Sequence, residues 1–253
     1  MYNKIKDGLI SGAKDHKSFK ELFIDAIRYT FKNPIVFLIL GLLLSILQII
    51  NNIFNFEINY YLSLSLVLIL LIIAIVLSLF EFGYSYFIFE TSIEGSSTPP
   101  SLEYKKILHH GVKDFSVIFI YLIIMIIIQW FFEYLVSIPV YKPYSSILLL
   151  LSSIIGGFIV LIINISLINL ASNKGNFKSA FNFKEILKIT YHIGILRFVL
   201  ILLMLDFLNF ILLDLLAFEL SLIGYIYRLL ALFIFAPAVL LFSKRFLIMS
   251  AMY

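Results

Sequence analysis

Asp206, Asn209 and Asp214 stand within an apolar run, and Arg228 stands within the next one. Ionisable side chains inside a bilayer are costly, and they usually face protein or water rather than lipid. Asp206 falls about twelve residues into its run, ~18 Å along a helix axis and near the midplane of a membrane. With Asn209 one turn on, it is a candidate proton or cation site. If the two runs form an antiparallel hairpin turning near Glu219–Ser221, Arg228 lies opposite Ile211. Asp214 is then the nearer carboxylate, which predicts a structural ion pair between Asp214 and Arg228. Both groups together suit either a relay or a pinned hairpin.

The remaining polar groups carry less chemistry. Glu81 and Glu133 sit at ends of apolar runs, where a carboxylate reaches an interface and is expected to be solvated. Gln48, Gln129 and Asn164 suit interhelical hydrogen bonds. His109 and His110 are adjacent and point about 100° apart on a helix, whereas chelation from one helix wants i, i+3 or i+4 spacing, so no metal is expected. No Gly-rich phosphate loop, Gly-x-Ser-x-Gly turn or fixed carboxylate pair occurs, and no cofactor or catalytic residue is expected. The chain has no cysteine, which excludes disulfides and thiolate chemistry.

These residues sit in a chain that is 62% hydrophobic and 13% charged, with a mean hydropathy of +1.06. Ordinary soluble domains are roughly 45–50% apolar and about 25% charged. The composition therefore implies a single integral membrane domain over residues 1–253. Six runs approach the roughly 20 residues that span a bilayer as helix: 34–50, 62–82, 115–136, 147–170, 195–217 and 222–242. No ten-residue alternation suggests a barrel, so the expected fold is all-α and polytopic.

Charge sets the expected orientation. Of the 19 Lys and Arg, all but Lys142 and Arg228 fall before the first run, in the second and fourth connections (Arg197 at the edge of the latter), or after the sixth run. The positive-inside rule places both termini and the two long connections in the cytoplasm of a multipass cell-membrane protein. Residues 1–33 are polar and amphipathic rather than a removable signal peptide. The net charge of +4 gives no reason to expect nucleic acid.

Three stretches share one spacing. Phe19, Leu22, Phe23, Ala26 and Ile27 fall at i, i+3, i+4, i+7 and i+8. Tyr104, Ile107, Leu108, Gly111 and Val112 repeat the pattern, as do Phe183, Ile186, Leu187, Thr190 and Tyr191. The segments 1–33, 101–114 and 180–193 are thus expected to be amphipathic cytoplasmic helices, giving three repeats of an interfacial helix plus a transmembrane hairpin. Ser18 with Glu21, and Asn182 with Glu185, look like capping boxes, and Ser101 follows Pro99-Pro100. Ser152-Ser153 and Gly156-Gly157 place two small-xxx-small patterns in the fourth run, which predicts close packing there. Pro237 is expected to kink the sixth run near Phe233.

Gly83-Tyr84, Glu94-Gly95, Pro100, Glu103, Gly111 and Tyr121, followed by Ala180–Ile186, Ile193-Gly194 and Ser243–Phe246, make the chain similar to a family of uncharacterised archaeal multipass membrane proteins known only as a domain of unknown function. The resemblance implies architecture and brings no activity, cofactor or catalytic residue. The function expected is a non-enzymatic membrane protein that organises lipid or a partner at the cytoplasmic face. The alternative is a small permease or channel with its site at Asp206. Membrane lipids are the expected partners, and protein partners and oligomeric state stay open.

Overall fold

A computed structural model describes residues 18–55, 64–194, 197–201, 203–205, 207–208 and 222–252, with the side chains of 51–55, 192 and 222–229 outside the description. The elements are α1 (Phe19–Phe31), α2 (Pro34–Asn55), α3 (Leu64–Ile93), α4 (Tyr104–Ser137), α5 (Ser145–Ser172), α6 (Phe183–Ile193) and α7 (Leu222–Met252). Two 3-10 turns, Pro139–Tyr144 and Phe177–Phe181, lead into α5 and α6. Residues 197–201, 203–205 and 207–208 are helical as well, and no strand occurs among the described residues.

Local chemistry explains the first break. Ser18 and Glu21 form the capping box read from the sequence, with Ser18 N donating to Glu21 Oε2 at 2.8 Å and Glu21 N to Ser18 Oγ at 3.2 Å. α1 ends before Pro34, whose ring disfavours helical geometry in Asn33. Asn33 Oδ1 then accepts from Val36 N at 3.3 Å, and Pro34 opens α2 where its missing N–H costs nothing. The two helices meet at 82°. The other two predicted caps do not form. Asn182 makes no side-chain cap bond, because Glu185 Oε2 instead accepts from Asn169 Nδ2 at 3.1 Å. The helix after Pro99-Pro100 starts at Tyr104, with Glu103 as an uncapped first position.

Among the described residues, four helical segments are long and apolar enough to cross a bilayer: Leu64–Ile93, Tyr104–Ser137, Pro139–Ser172 and Leu230–Met252. α1 and α2 together make a fifth only if the chain crosses through its bend. The fifth run expected from sequence, 195–217, lies mostly outside the described residues. The repeat also differs from expectation. α1 and α6 are separate helices, but the middle stretch, 101–114, joins its span in the unbroken 34-residue α4. Nothing between Val112 and Phe115 breaks a helix, and α4 simply continues.

At 1.5 Å per residue, helices of 30 residues run ~45 Å, some 15 Å more than a bilayer's hydrocarbon core. The excess lies at one end. α3 is largely exposed and apolar through Leu64–Ile73 but buried from Gly83 to Phe89, while α4 buries Ile107, His110, Gly111 and Asp114 and is largely exposed at Ile123–Phe131. α5 is buried at Ile165–Ala171, and α7 is buried at Leu240–Leu241 and again at Arg245–Ala251. The long helices thus have a bare apolar half suited to lipid and a packed half that α1 and α6 complete. On the repeated faces, Leu22 and Ala26, Ile107 and Gly111, and Ile186 are the positions that bury.

Tight helix crossings hold the packed half. A β-carbon on Gly83 would overlap the Ile107 carbonyl oxygen, and one on Gly111 would overlap that of Leu79, so α3 and α4 touch backbone to backbone. Pro237 leaves the Phe233 carbonyl without its helical donor, and Gly41 of α2 abuts that oxygen where a side chain would collide. Gly156 and Gly157, where close packing was expected, have no heavy atom of a neighbouring element within 4 Å of the β-carbon position among the described residues. They lie on the bare apolar half of α5, and a close backbone crossing occurs instead at Gly83 and Gly111.

Candidate functional site

Buried tyrosines fasten the connections to the packed end. Tyr84 Oη donates to the Pro100 carbonyl at 3.0 Å, and Tyr121 Oη to the Ala180 carbonyl at 3.0 Å, with Ser166 Oγ donating in turn to Tyr121 Oη at 3.0 Å. Asn169 Nδ2 holds the turn before α6 by donating to the Ser179 carbonyl at 2.8 Å. Several residues behind the family resemblance, Gly83, Tyr84, Pro100, Gly111, Tyr121 and Ala180, are thus contact residues of one frame.

Three charged groups are set into this frame. Arg245 is enclosed, its side chain 5% exposed. Its Nε meets Asp25 Oδ2 at 3.0 Å, its Nη1 donates to the Ser96 carbonyl at 2.9 Å, and its guanidinium lies 4.7 Å from the Tyr29 ring centroid. α1, the turn after α3 and α7 therefore converge on one guanidinium, whose fixed fork suits several acceptors. The second group is Lys106 with Glu90, at 3.0 Å, the ammonium also 4.2 Å from the Phe87 ring centroid. Beside it, the rings of Tyr86 and His110 stack at 4.2 Å and 10°. The third group is Lys244 of α7, which interacts electrostatically with Asp114 of α4 and with Glu81 of α3. Asp114 is 1% exposed, and neither carboxylate oxygen has a hydrogen-bond partner.

A second feature is apolar. Between α1, α7 and the helical residues 203–205 and 207–208 lies an open cavity of about 370 Å³. Phe23, Ile27 and Phe31 form one wall, Phe235, Val239 and Phe242 another, and Met204 and Phe207 face them. Its single hydroxyl, that of Thr30, is already bonded to the Ala26 carbonyl at 2.9 Å, so the walls offer no free polar group. Arg28 and Lys32 follow Ile27 and Phe31 directly and stand about 100° round α1 from them, exposed and outside any salt bridge among the described residues.

Asp206, Asn209 and Asp214 lie outside the described residues, as does the side chain of Arg228, which stands on α7. Glu81, expected to be solvated, is only partly exposed and belongs to the third charged group. Asp114, Lys244 and Arg245 were not singled out from sequence, although each had a signal. Asp114 follows Ile107 and Gly111 at i+7 on the buried face, and Lys244-Arg245 interrupts an apolar run that resumes to Met252. Among the described residues no three His, Asp or Glu side chains converge as metal ligands.

Residues 66–220 match a family described as proteins of unknown function, DUF4013. The match covers more than half of the chain, which belongs to that family. No curated protein and no solved structure matches.

Proposed function

From membership in a family without an assigned activity, we propose that this integral membrane protein is non-enzymatic and holds lipid at its packed, cytoplasmic end. The observation that carries the reading is the open cavity between α1 and α7. Its walls are apolar throughout, and Arg28 on α1 and Lys32 at the C-cap of α1 follow two of its lining residues. An acyl chain suits such a wall, and an anionic headgroup suits the two cations at the membrane surface. The 82° bend between α1 and α2 supports α1 as a helix lying in the interface while α2 enters the bilayer. The charge alternation supports a cytoplasmic location for both termini, and the six-run pattern supports three repeats of interfacial helix plus hairpin.

Native mass spectrometry of the detergent-purified protein tests the reading. The expected result is one retained lipid, lost when Ala238→Trp fills the cavity. Arg28→Gln with Lys32→Gln should retain neutral lipids while weakening anionic ones, by about fivefold per cation at ~1 kcal/mol each. No retained lipid, or equal retention in Ala238→Trp, would overturn it. The alternative of a small permease using Asp206 rests on sequence alone, and loss of proton or cation flux in Asp206→Asn proteoliposomes is its test.

A further inference from the structure

Where α3 and α4 run side by side, His110 stacks on Tyr86, the ring centroids 4.2 Å apart and the planes at 10°. His110 is 9% exposed, and its Nδ1 is enclosed with no hydrogen-bond partner among the described residues. The turn after α5 closes over this stack. Lys174 and Gly175 both take left-handed backbone there, with φ of 53° and 74°, and Gly175 is buried. A β-carbon on Gly175 would lie 3.1 Å from Tyr86 Oη, 3.4 Å from Lys113 Nζ and 3.7 Å from His110 Cε1. The backbone of the turn therefore rests directly on the two rings.

Three elements set the charge around His110. On α4, Lys106 and Lys113 stand one turn to either side of it, and the adjacent His109 is exposed. On α3, Glu90 stands one turn from Tyr86 and is paired with Lys106 at 3.0 Å. At the turn, Lys174 and Lys178 are exposed. Farther away, α5 carries no ionisable side chain, Lys244 of α7 lies 5.8 Å from the Phe89 ring centroid, and Glu185 of α6 accepts from Asn169.

A proton on His110 changes what this packing must hold. Neutral imidazole keeps one ring nitrogen as an acceptor, whereas imidazolium carries an N–H on both. Imidazolium here puts a charged N–H at Nδ1, buried and without an acceptor, which is costly. Two lysines stand a turn away, and the nearby carboxylate, Glu90, is already bonded to one of them. We propose that His110 is a pH-sensitive latch for the turn between α5 and α6, seated on the His110–Tyr86 stack while the ring is neutral and released when it is protonated. Seating is complete above the imidazole range and is lost as the pH falls through it, from roughly pH 7 to 5. Release is local, because Asn169 still holds the Ser179 carbonyl and Tyr121 that of Ala180.

Hydrogen–deuterium exchange of the full-length protein in nanodiscs, with labelling times scaled for the intrinsic pH dependence of exchange, tests the latch. In the seated turn the Gly175 amide donates to the Leu170 carbonyl at 2.9 Å. Amides of residues 173–176 should exchange about fivefold faster at about pH 5.5 than at about pH 7.5, while those of residues 179–182 keep one rate. His110→Phe retains a ring on Tyr86 and takes no proton, so its response should vanish, whereas His109→Gln should keep it. Lys113→Gln removes a repelling charge and should weaken the response, which leaves the test intact if His110→Phe fails to fold. Exchange independent of pH in the wild type would overturn the latch. So would a response that persists in His110→Phe, is lost in His109→Gln or is unchanged in Lys113→Gln.

Discussion

Adding one methyl group at Gly83 should do more damage than its size suggests. The β-carbon would collide with the Ile107 carbonyl oxygen and come within 2.7 Å of the Gly111 nitrogen, and both obstacles are backbone. Ordinary contact needs roughly 3.5 Å, so α3 and α4 must separate locally by nearly 1 Å or more. A gap of that size forfeits about a quarter to a half of each affected dispersion contact, and the neighbours Tyr84, Ile88 and Ile107 are fully enclosed. Overpacking costs ~1–3 kcal/mol, here at the upper end because no flexible side chain can yield, while alanine regains about 1 kcal/mol of helix propensity. Gly83→Ala should therefore lose about 2 kcal/mol net, a roughly 30-fold rise in the unfolded fraction. Gly156→Ala, with open space around its β-carbon, keeps only the helix gain and should be neutral or up to ~1 kcal/mol more stable. Thermal unfolding in detergent compares the two. Equal melting temperatures, or a more stable Gly83→Ala, would refute the close crossing of α3 and α4.

Other perturbations separate the roles of the packed residues. Asp25→Asn removes the carboxylate from the enclosed Arg245 and should cost ~3–5 kcal/mol, read as a fall in melting temperature, with Arg245→Met tolerated better because it buries no lone charge. Leu22→Ser, at a fully buried position of α1, should expose that helix to protease and lose ~1.5–3 kcal/mol. Phe19→Ser should do less, since Phe19 is 45% exposed and meets Phe246 only edge to face. Equal protease sensitivity of the two would count against packing of α1 through Leu22 and Ala26.

Membrane class and helical fold were legible because a long apolar run is nearly its own structure in lipid, where every backbone group must be paired within the segment. The face carrying Leu22, Ile107 and Ile186 was legible from its 3.6-residue period. The same period did not separate packing on a neighbouring helix from lying on lipid headgroups, and Phe19 and Phe23 pack on Phe246 and Phe242. Nor does it mark where a polar helix becomes a span, so α4 was read as two segments. Small-residue spacing pointed to Gly156 and Gly157, yet the crossing uses Gly83 and Gly111, because a glycine matters only where another backbone arrives. Asp114 was passed over because it falls at the end of the segment 101–114, read as cytoplasmic, and Lys244 because positive-inside counting treats a cation near a span as solvated. Whether Lys244 is solvated depends on eight further residues of helix, Arg245–Met252, returning it to the packed end.

In the proposed orientation, the packed, ion-bearing end of the bundle faces the cytoplasm and the bare apolar halves cross the membrane. Single cysteines introduced into this cysteine-free chain test it directly in intact cells, using a membrane-impermeant thiol reagent. Lys142→Cys, in the exposed 3-10 turn between α4 and α5, should be labelled from outside. Ser96→Cys and Lys174→Cys, at the turns of the packed end, should react only after the cells are opened. Labelling of Ser96→Cys or Lys174→Cys in intact cells, with Lys142→Cys protected, would reverse the orientation and contradict the account.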